Sequence, residues 1–382
     1  MRALVITHVY PRWTGDSQAP FLAHWAKALR HAGHDLRILA PHDRGAELDE
    51  TLDGIPIHRV RYGDDEHERV AYRGQMHELV KSRSGMAQLG RLTSAMVHAI
   101  RQEVHAFKPD IVHVHWWVPG MIWARLAAVR VPIVCQLHGT DVKLAQRNGA
   151  TRRLARWALA RADGVEAVST HLASQAAALT ATPIRINPMP LGEGFFSPPT
   201  APSTIDLDLA RVLGVGRLVP AKGWRELIEA CANSPVPLLV RIIGSGPQHD
   251  ELLALAHHLQ VPLELPGNVN PEQMPNEYRQ ADVVVHPSHA EGFGMVIPEA
   301  LACRRPIVAT NSGGVLDLLE PEHVVPVGDV LALRAAILNA LNDPQTEQAE
   351  NLAERVHDLL SPQAAAERST AIWHAVAMPS YR

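Results

Sequence analysis

Two carboxylates, Glu291 and Glu299, stand in the stretch EGFGMVIPE with seven residues between them. Gly292 and Gly294 follow the first acid and let the backbone approach a ligand closely. Pro298 suits a first helical turn, where a missing N–H costs nothing. Free amides at such a helix start favour an anion such as a phosphate. Glu299 can accept two hydrogen bonds from a ribose diol, and Glu291 can do the same for sugar hydroxyls. The plainer alternative is a surface acid before a turn and a glutamate favoured near a helix N-terminus.

A second group lies in GRLVPAKGW, residues 216–224, after the apolar run RVLGV. Arg217 and Lys222 flank a strand-to-helix turn there and can point at one anion. A leaving nucleoside diphosphate gains negative charge as a glycosidic bond breaks, and fixed cations beside it stabilise that charge. Taken alone, such a pair is more often solvated surface. The stretch IIGSGP puts Gly244 and Gly246 in a turn after another strand. It is similar to a phosphate loop without being G-x-G-x-x-G. In LHGTD, residues 137–141, His138 ends a strand ahead of a glycine. It can bind a sugar hydroxyl or orient a reacting centre; a structural histidine is the plain alternative.

These groups need elements to hold them. The spacing predicts strands over 2–7, 36–40, 110–114, 133–137, 164–168 and 184–187, with helices over 21–31, 121–129 and 151–162 between them. Gly33 closes the first helix. The segment 197–204, SPPTAPST, has three prolines and no core-forming residue, and reads as a linker. Alternation then restarts, with strands over 211–215, 238–243, 263–265, 283–286 and 307–309 and helices over 224–231, 251–259, 276–280 and 299–303. Helical stretches near 331–341 and 347–359 precede a last segment containing Trp373. The expected organisation is an α/β protein of two Rossmann-like, doubly wound domains, at 1–196 and 205–365, with 366–382 returning to the first. In open parallel sheets, ligands bind beyond the carboxyl ends of the strands, so two such domains facing a central cleft would frame a substrate.

Composition agrees with two packed cores. The 382 residues are 46% hydrophobic and 20% charged, below the globular norm of about 25% charged, so long solvated tails are not expected. A net charge of −4 gives no global attraction to nucleic acid. Cys135, Cys231 and Cys303 are scattered, without a C-x-x-C pair, which suits a reducing compartment. No apolar run approaches the roughly 20 residues of a membrane span, and the N-terminus lacks a signal-peptide pattern. A cytoplasmic protein is expected.

Other signals are weaker. His113 and His115 share a strand face, but no acid or cysteine joins them as a metal set. His115 and Trp116 are better read as facing an acceptor. Asp206-Leu207-Asp208 is a D-x-D triplet beside the linker and reads as polar surface. Arg152, Arg153, Arg156 and Arg161, with Trp157, make a basic helix that either rests on anionic lipid or is simply solvated. His257-His258 reads as surface.

Read in order, the motifs resemble the retaining glycosyltransferases of family 4, which have the GT-B fold. The features are YP near the first strand, PDIVHVHWW (109–117), HGTD, ADGVEAVS (162–169), GRLVPAKG, IIGSGP, ADVVVHPSHAEGFGMVIPEALA (281–302) and TNSGG (310–314). The resemblance spans nearly the whole chain. It implies transfer of a hexose-type unit from a nucleotide-diphosphate sugar to a saccharide or lipid-linked acceptor, with retention, no cofactor and no metal. Arg217 and Lys222 match the family's diphosphate-binding pair, and Glu299 its ribose-holding acid. Glu291 matches the acid beside the donor sugar, with Gly292, Phe293 and Gly294 supplying amides and Met295 and Val296 continuing the donor-binding segment. His138 matches the histidine near the anomeric carbon. Gly267 and Asn268 fall where the base-contacting loop begins, Gly216 and Gly15 fall near the donor phosphates, and Asp141 joins His115 and Trp116 on the acceptor side. Three positions depart from the pattern. Thr14-Gly15-Asp16 replaces an adjacent glycine pair, Arg304-Arg305-Pro306 replaces a glycine-led turn, and Glu193 stands near a usual aspartate. A nucleotide-sugar 2-epimerase of the same fold, or a non-catalytic nucleotide-sugar binder, are the alternative readings.

Overall fold

A computed structural model describes residues 1–72, 82–197, 209–291, 293–319, 324–342 and 346–377. Most of the linker, the Asp206-Leu207-Asp208 triplet, Gly292 and the tail from 378 lie outside the described residues. The chain divides into two compact units, 1–190 with 362–382, and 191–361.

In the first unit, the described strands are β1 (Arg2–Ile6), β2 (Asp35–Pro41), β3 (Asp49–Leu52), β4 (Ile55–Val60), β5 (Ile111–His115), β6 (Ile133–Leu137), β7 (Gly164–Ala167) and β8 (Ile184–Ile186). They form one sheet in the order β3-β4-β2-β1-β5-β6-β7-β8. All pairs are parallel except the β3–β4 hairpin. Strands β5 and β6 are buried along their whole length and β1 from Ala3 onward, because helices cover both sides of the sheet. One covering helix is Pro20–His31, which buries Leu22, Trp25, Ala26, Ala28 and Leu29 and begins with a proline at its first position. Another is Arg83–Phe107, whose N-cap Ser82 accepts a hydrogen bond from Gly85 N. The helix Pro362–Ala377 also belongs to this unit. Trp25 Nε1 donates to Ser369 Oγ at 3.0 Å, and Trp373 Nε1 donates to His113 Nδ1 at 3.0 Å. Both indoles are buried, so each N–H needs such a partner.

In the second unit, the described strands are β9 (Ala210–Val215), β10 (Leu238–Ile243), β11 (Leu263–Gly267), β12 (Val283–His286), β13 (Ile307–Thr310) and β14 (Val324–Val325). Their order is β11-β10-β9-β12-β13-β14, and all pairs are parallel. Sequence order runs one way from β9 and the other way from β12. The topological switch point therefore lies between β9 and β12, where doubly wound sheets bind ligands. The core gathers Val212, Trp224, Leu227, Ile228, Val240, Ile242, Leu252, Val283 and Val285. Residues 191–196, assigned above to the first domain, pack here instead. Phe195 is buried with its ring 5.8 Å from that of Tyr278, and Arg279 donates to Gly194 O at 2.6 Å.

The departure at Arg304 has a structural answer. The helix Val296–Ala302 ends in a left-handed turn, with Arg304 at φ 54°. Arg304 N donates to Leu301 O and Arg305 N to Ala300 O, which closes the helix as a glycine would. The turn is kept despite the Cβ, at a cost of roughly 1–2 kcal/mol. Arg304→Gly is expected to stabilise the chain by about 1 kcal/mol, read as a higher denaturation midpoint in urea; an unchanged or lower midpoint would contradict it.

Candidate active site

The loops after β9 and β12 meet at the switch point. After β9 the chain makes a single 3-10 turn, Pro220–Lys222, and enters the helix Trp224–Cys231. Trp224 is buried, and its Nε1 donates to Arg217 O at 2.8 Å, tying the loop to the helix that follows. Gly223 has φ 70°, and a Cβ on it would lie 2.1 Å from Pro287 O. His289 N donates to Ala221 O at 2.9 Å. The two loops are thus fastened backbone to backbone.

This fastening brings Lys222 Nζ onto Glu291 Oε1 as an ion pair. Ser288 Oγ donates to the same oxygen at 2.9 Å, and His286 Nε2 lies 3.6 Å from it. Burial works to raise the Glu291 pKa, but Lys222, His286 and the Ser288 hydroxyl together hold it below the ordinary value. His286 is pushed down to about 4, chiefly by burial, and is neutral at physiological pH. The ion pair therefore has one cation, Lys222, and one anion, Glu291. Arg217 is exposed at the head of the same loop, with no ion pair among the described residues.

Glu299 stands one turn into the helix Val296–Ala302 and accepts a hydrogen bond from the Tyr278 hydroxyl. Burial pushes its pKa up to about 7, against the hydrogen bond from Tyr278. Phe293 and Val296 are buried and Met295 half-buried, so they shape this segment as packing groups. Gly294 has φ 75°.

The neighbouring loops leave no room for side chains. A Cβ on Gly244 would lie 2.1 Å from Gly216 O, and one on Gly246 would lie 2.4 Å from Leu218 O. Gly244 N donates to Gly267 O at 2.9 Å and Leu218 N to Ser245 O at 3.0 Å, so the loops after β9, β10 and β11 form one stack. Gly216 and Gly267 also have positive φ, and Asn268 is exposed beside them. Gly313 has φ 67°, and a Cβ there would lie 1.9 Å from Glu291 O. Arg217, Lys222, Gly216, Gly244, Gly246, Gly267, Glu291, Gly294 and Glu299 thus all sit at the carboxyl ends of the second sheet. Sequence reasoning missed Tyr278, Ser288, His286 and Gly313. Ser288 and His286 lie inside HPSHAEGFG and Gly313 inside TNSGG, so only their contacts were hidden.

The first unit holds a separate group. His138 follows β6, and its ring stacks on Trp116 with centroids 4.0 Å apart and planes 25° apart. His115 Nδ1 and His138 Nε2 share a hydrogen bond of 3.0 Å. Burial drives both histidines well below the ordinary pKa, with neighbouring histidines adding to the effect, so His138 is neutral at physiological pH. Trp116 is held at φ 65°, a strained value for a tryptophan, with its N donating to Gln136 O at 2.8 Å. Asp141 is buried and spends its carboxylate on backbone amides. It accepts from His138, Gly139 and Val142 at Oδ1 and from Trp117 at Oδ2. These contacts fix the His138 loop. The three residues read as acceptor-facing are all buried, His115 at 0%, Asp141 at 2% and Trp116 at 8% exposure. Gly15, at φ 82°, lies in a loop fastened by Arg12, which donates to Asp16 at 2.8 and 3.0 Å and to Asp43 at 2.9 Å.

Two doubly wound units with interlocked loops at the second sheet's switch point define a GT-B protein. Comparison gives the family. Residues 200–358 match the family described as Glycosyl transferases group 1, and residues 18–192 match the Glycosyl transferase 4-like domain. A D-inositol 3-phosphate glycosyltransferase of Kineococcus radiotolerans is 30% identical over 302 residues, covering 66% of this chain and 68% of that protein. A glycogen synthase of Mycobacterium tuberculosis is 27% identical over 396 aligned positions, covering 93% and 89%. Among solved structures, sucrose-phosphate synthase from Thermosynechococcus elongatus superposes with a TM-score of 0.81 at 21% identity over all of both chains. Anabaena Alr3699/HepE in complex with UDP and glucose gives 0.72 at 19% identity over 97% and 98%. The chain belongs to the group 1, family 4-like glycosyltransferases and is a glycosyltransferase enzyme.

The raised Glu299 pKa gives a signed expectation. The folded chain binds this proton more tightly than the unfolded chain. Its contribution to stability is full below the ordinary 4.5 and is lost as pH rises through about 7. Glu299→Gln cannot ionise, so its melting temperature should rise relative to wild type between about pH 5 and about pH 8. Parallel thermal melts across that window check this; a constant difference would contradict it.

Proposed function

We propose that the chain transfers a hexose-type sugar from a nucleoside-diphosphate donor to a saccharide or lipid-linked acceptor, with retention and without a metal or cofactor. The observation that supports this most is the Lys222–Glu291 pair at the switch point, beside the exposed Arg217 and the glycine stack. Lys222 and Arg217 meet the diphosphate, and the cations take up the charge that develops on it as the glycosidic bond breaks. The glycines at 216, 244 and 246 leave backbone accessible to phosphate oxygens. Glu291 orients Lys222 and accepts from donor-sugar hydroxyls. Glu299 accepts from the ribose diol, with Tyr278 as its positioning residue. His138, neutral and fixed by Asp141, serves the reacting sugar as a hydrogen-bonding group, with Trp116 beside it.

The comparisons support the reading without choosing the substrates. HepE carries UDP and glucose in its solved complex, while the relatives named above are an inositol phosphate glycosyltransferase and a glycogen synthase. Incubation with a panel of UDP-, GDP- and ADP-sugars, read by mass spectrometry, identifies the donor. No binding or release of nucleoside diphosphate from any of them would overturn the reading.

Two substitutions test the roles. Lys222→Ala should lower kcat by roughly 100- to 1000-fold, as loss of one group stabilising transition-state charge does. Its melting temperature should fall by a much smaller measure, since Glu291, only 16% exposed, keeps the Ser288 hydroxyl when the lysine is lost; kinetics together with melts check this, and unchanged turnover would remove Lys222 from the site. Glu299→Ala should weaken nucleotide binding by about tenfold or more, the worth of a charged hydrogen bond; calorimetry showing wild-type affinity would contradict that role.

A further inference from the structure

Between residues 111 and 162 the chain carries eight Lys and Arg but a single acid, Asp141, in a protein of net charge −4. Asp141 is buried with its oxygens on backbone amides, so no carboxylate of this segment reaches the surface. Arg161 is spent structurally, donating to Val129 O and Val131 O and pairing with Asp163. Arg130, Lys143, Arg147, Arg152, Arg153 and Arg156 are exposed.

Large apolar side chains are exposed among these cations. The helix Gly149–Leu159 buries Ala155, Ala158 and Leu159 and turns Leu154 and Trp157, one turn apart, to the outside at 42% and 39% exposure. The helix Ile122–Leu126 buries Trp123 and Ala124 and leaves Leu126 at 44%. The Arg125 guanidinium lies 4.5 Å from the Trp157 ring centroid, which joins the outer faces of the two helices into one patch. Scattered exposed apolar residues need no explanation. A tryptophan and two leucines among cations, in a stretch whose one carboxylate is buried, are a different case. Cations draw such a face to anionic headgroups, and apolar side chains gain by entering the headgroup–acyl boundary. A nucleic acid would satisfy the cations and leave the leucines in water.

We infer that this face of the first unit docks on the anionic surface of a lipid bilayer. Docking is peripheral, since among the described residues no helix is long and apolar enough to cross a membrane. The helix Thr140–Gln146, which carries Lys143, begins two residues after His138. The docked face and the His138 loop are therefore continuous in the chain, an arrangement suited to an acceptor presented at a bilayer.

The test is co-sedimentation of the full chain with vesicles of phosphatidylcholine alone or mixed with phosphatidylglycerol. The chain should pellet with the mixed vesicles only, and less as salt is raised. Each basic residue near such a surface contributes about 1 kcal/mol, roughly fivefold in partition. The double charge reversal R152E/R153E should therefore lower partition by at least about 25-fold, while its melting temperature and its hydrolysis of donor without acceptor stay at wild-type values. W157A should weaken binding even where salt has screened the cations. The inference is overturned if the wild-type chain ignores anionic vesicles, pellets equally with neutral ones, or loses nothing on R152E/R153E. Binding to heparin without binding to vesicles would assign the patch to a soluble polyanion and overturn it as well.

Discussion

The contact between Lys222 and Glu291 is the constraint around which the second unit is arranged. The two residues are 69 positions apart in the chain and come from the loops after β9 and β12. A carboxylate with only 16% of its side chain exposed is costly to leave unpaired. The structure answers with Lys222, the Ser288 hydroxyl and the edge of His286. Everything that makes the contact possible is backbone work: the left-handed turn at Gly223, the bond from His289 N to Ala221 O, and the packing of Gly313 against Glu291 O. A side chain at Gly223 or Gly313 would separate the loops by more than a hydrogen bond can tolerate.

That arrangement explains why the charged groups concentrate at one edge of the sheet. In a parallel sheet whose order reverses between β9 and β12, ligands bind outside the strand ends at that point. The glycines after β9 and β10 keep the floor there made of backbone, which a phosphate can approach. The cations stand at its rim. The same logic runs in the first unit with different materials. There Asp141 gathers four amides so that His138 holds its place over Trp116, and burial keeps the imidazole uncharged. A neutral ring can hydrogen-bond a sugar without repelling the developing charge at its anomeric centre.

Much of this was legible in the sequence, for particular reasons. Strands such as LLVRII and VVVH are short, apolar and bounded by Gly or Pro, so their ends fall within a residue or two of the expected positions. The hairpin at 49–60 was missed because DETL is polar and carries no alternating face. The helix Arg83–Phe107 was missed although Leu92, Met96, Ala99 and Ile100 recur at helical spacing. Motif residues from 216 to 299 fell together because their spacing follows strand ends. The acceptor-side reading of Asp141 did not foresee its saturation: Gly139 marks the tight turn, at φ 113°, but not the four amides that it gathers on one carboxylate. The Tyr278–Glu299 contact was invisible for the same reason: it is tertiary. Arg304 shows the converse, a residue type arguing against a turn that the surrounding packing enforces.

The most direct measurement is a crystal structure of the chain soaked in turn with UDP, GDP and ADP. The account predicts that whichever nucleotide binds lays its diphosphate on the loops after β9 and β10, within reach of Arg217 and Lys222, with its ribose hydroxyls on Glu299. A nucleotide bound elsewhere, with those three side chains untouched, would contradict it.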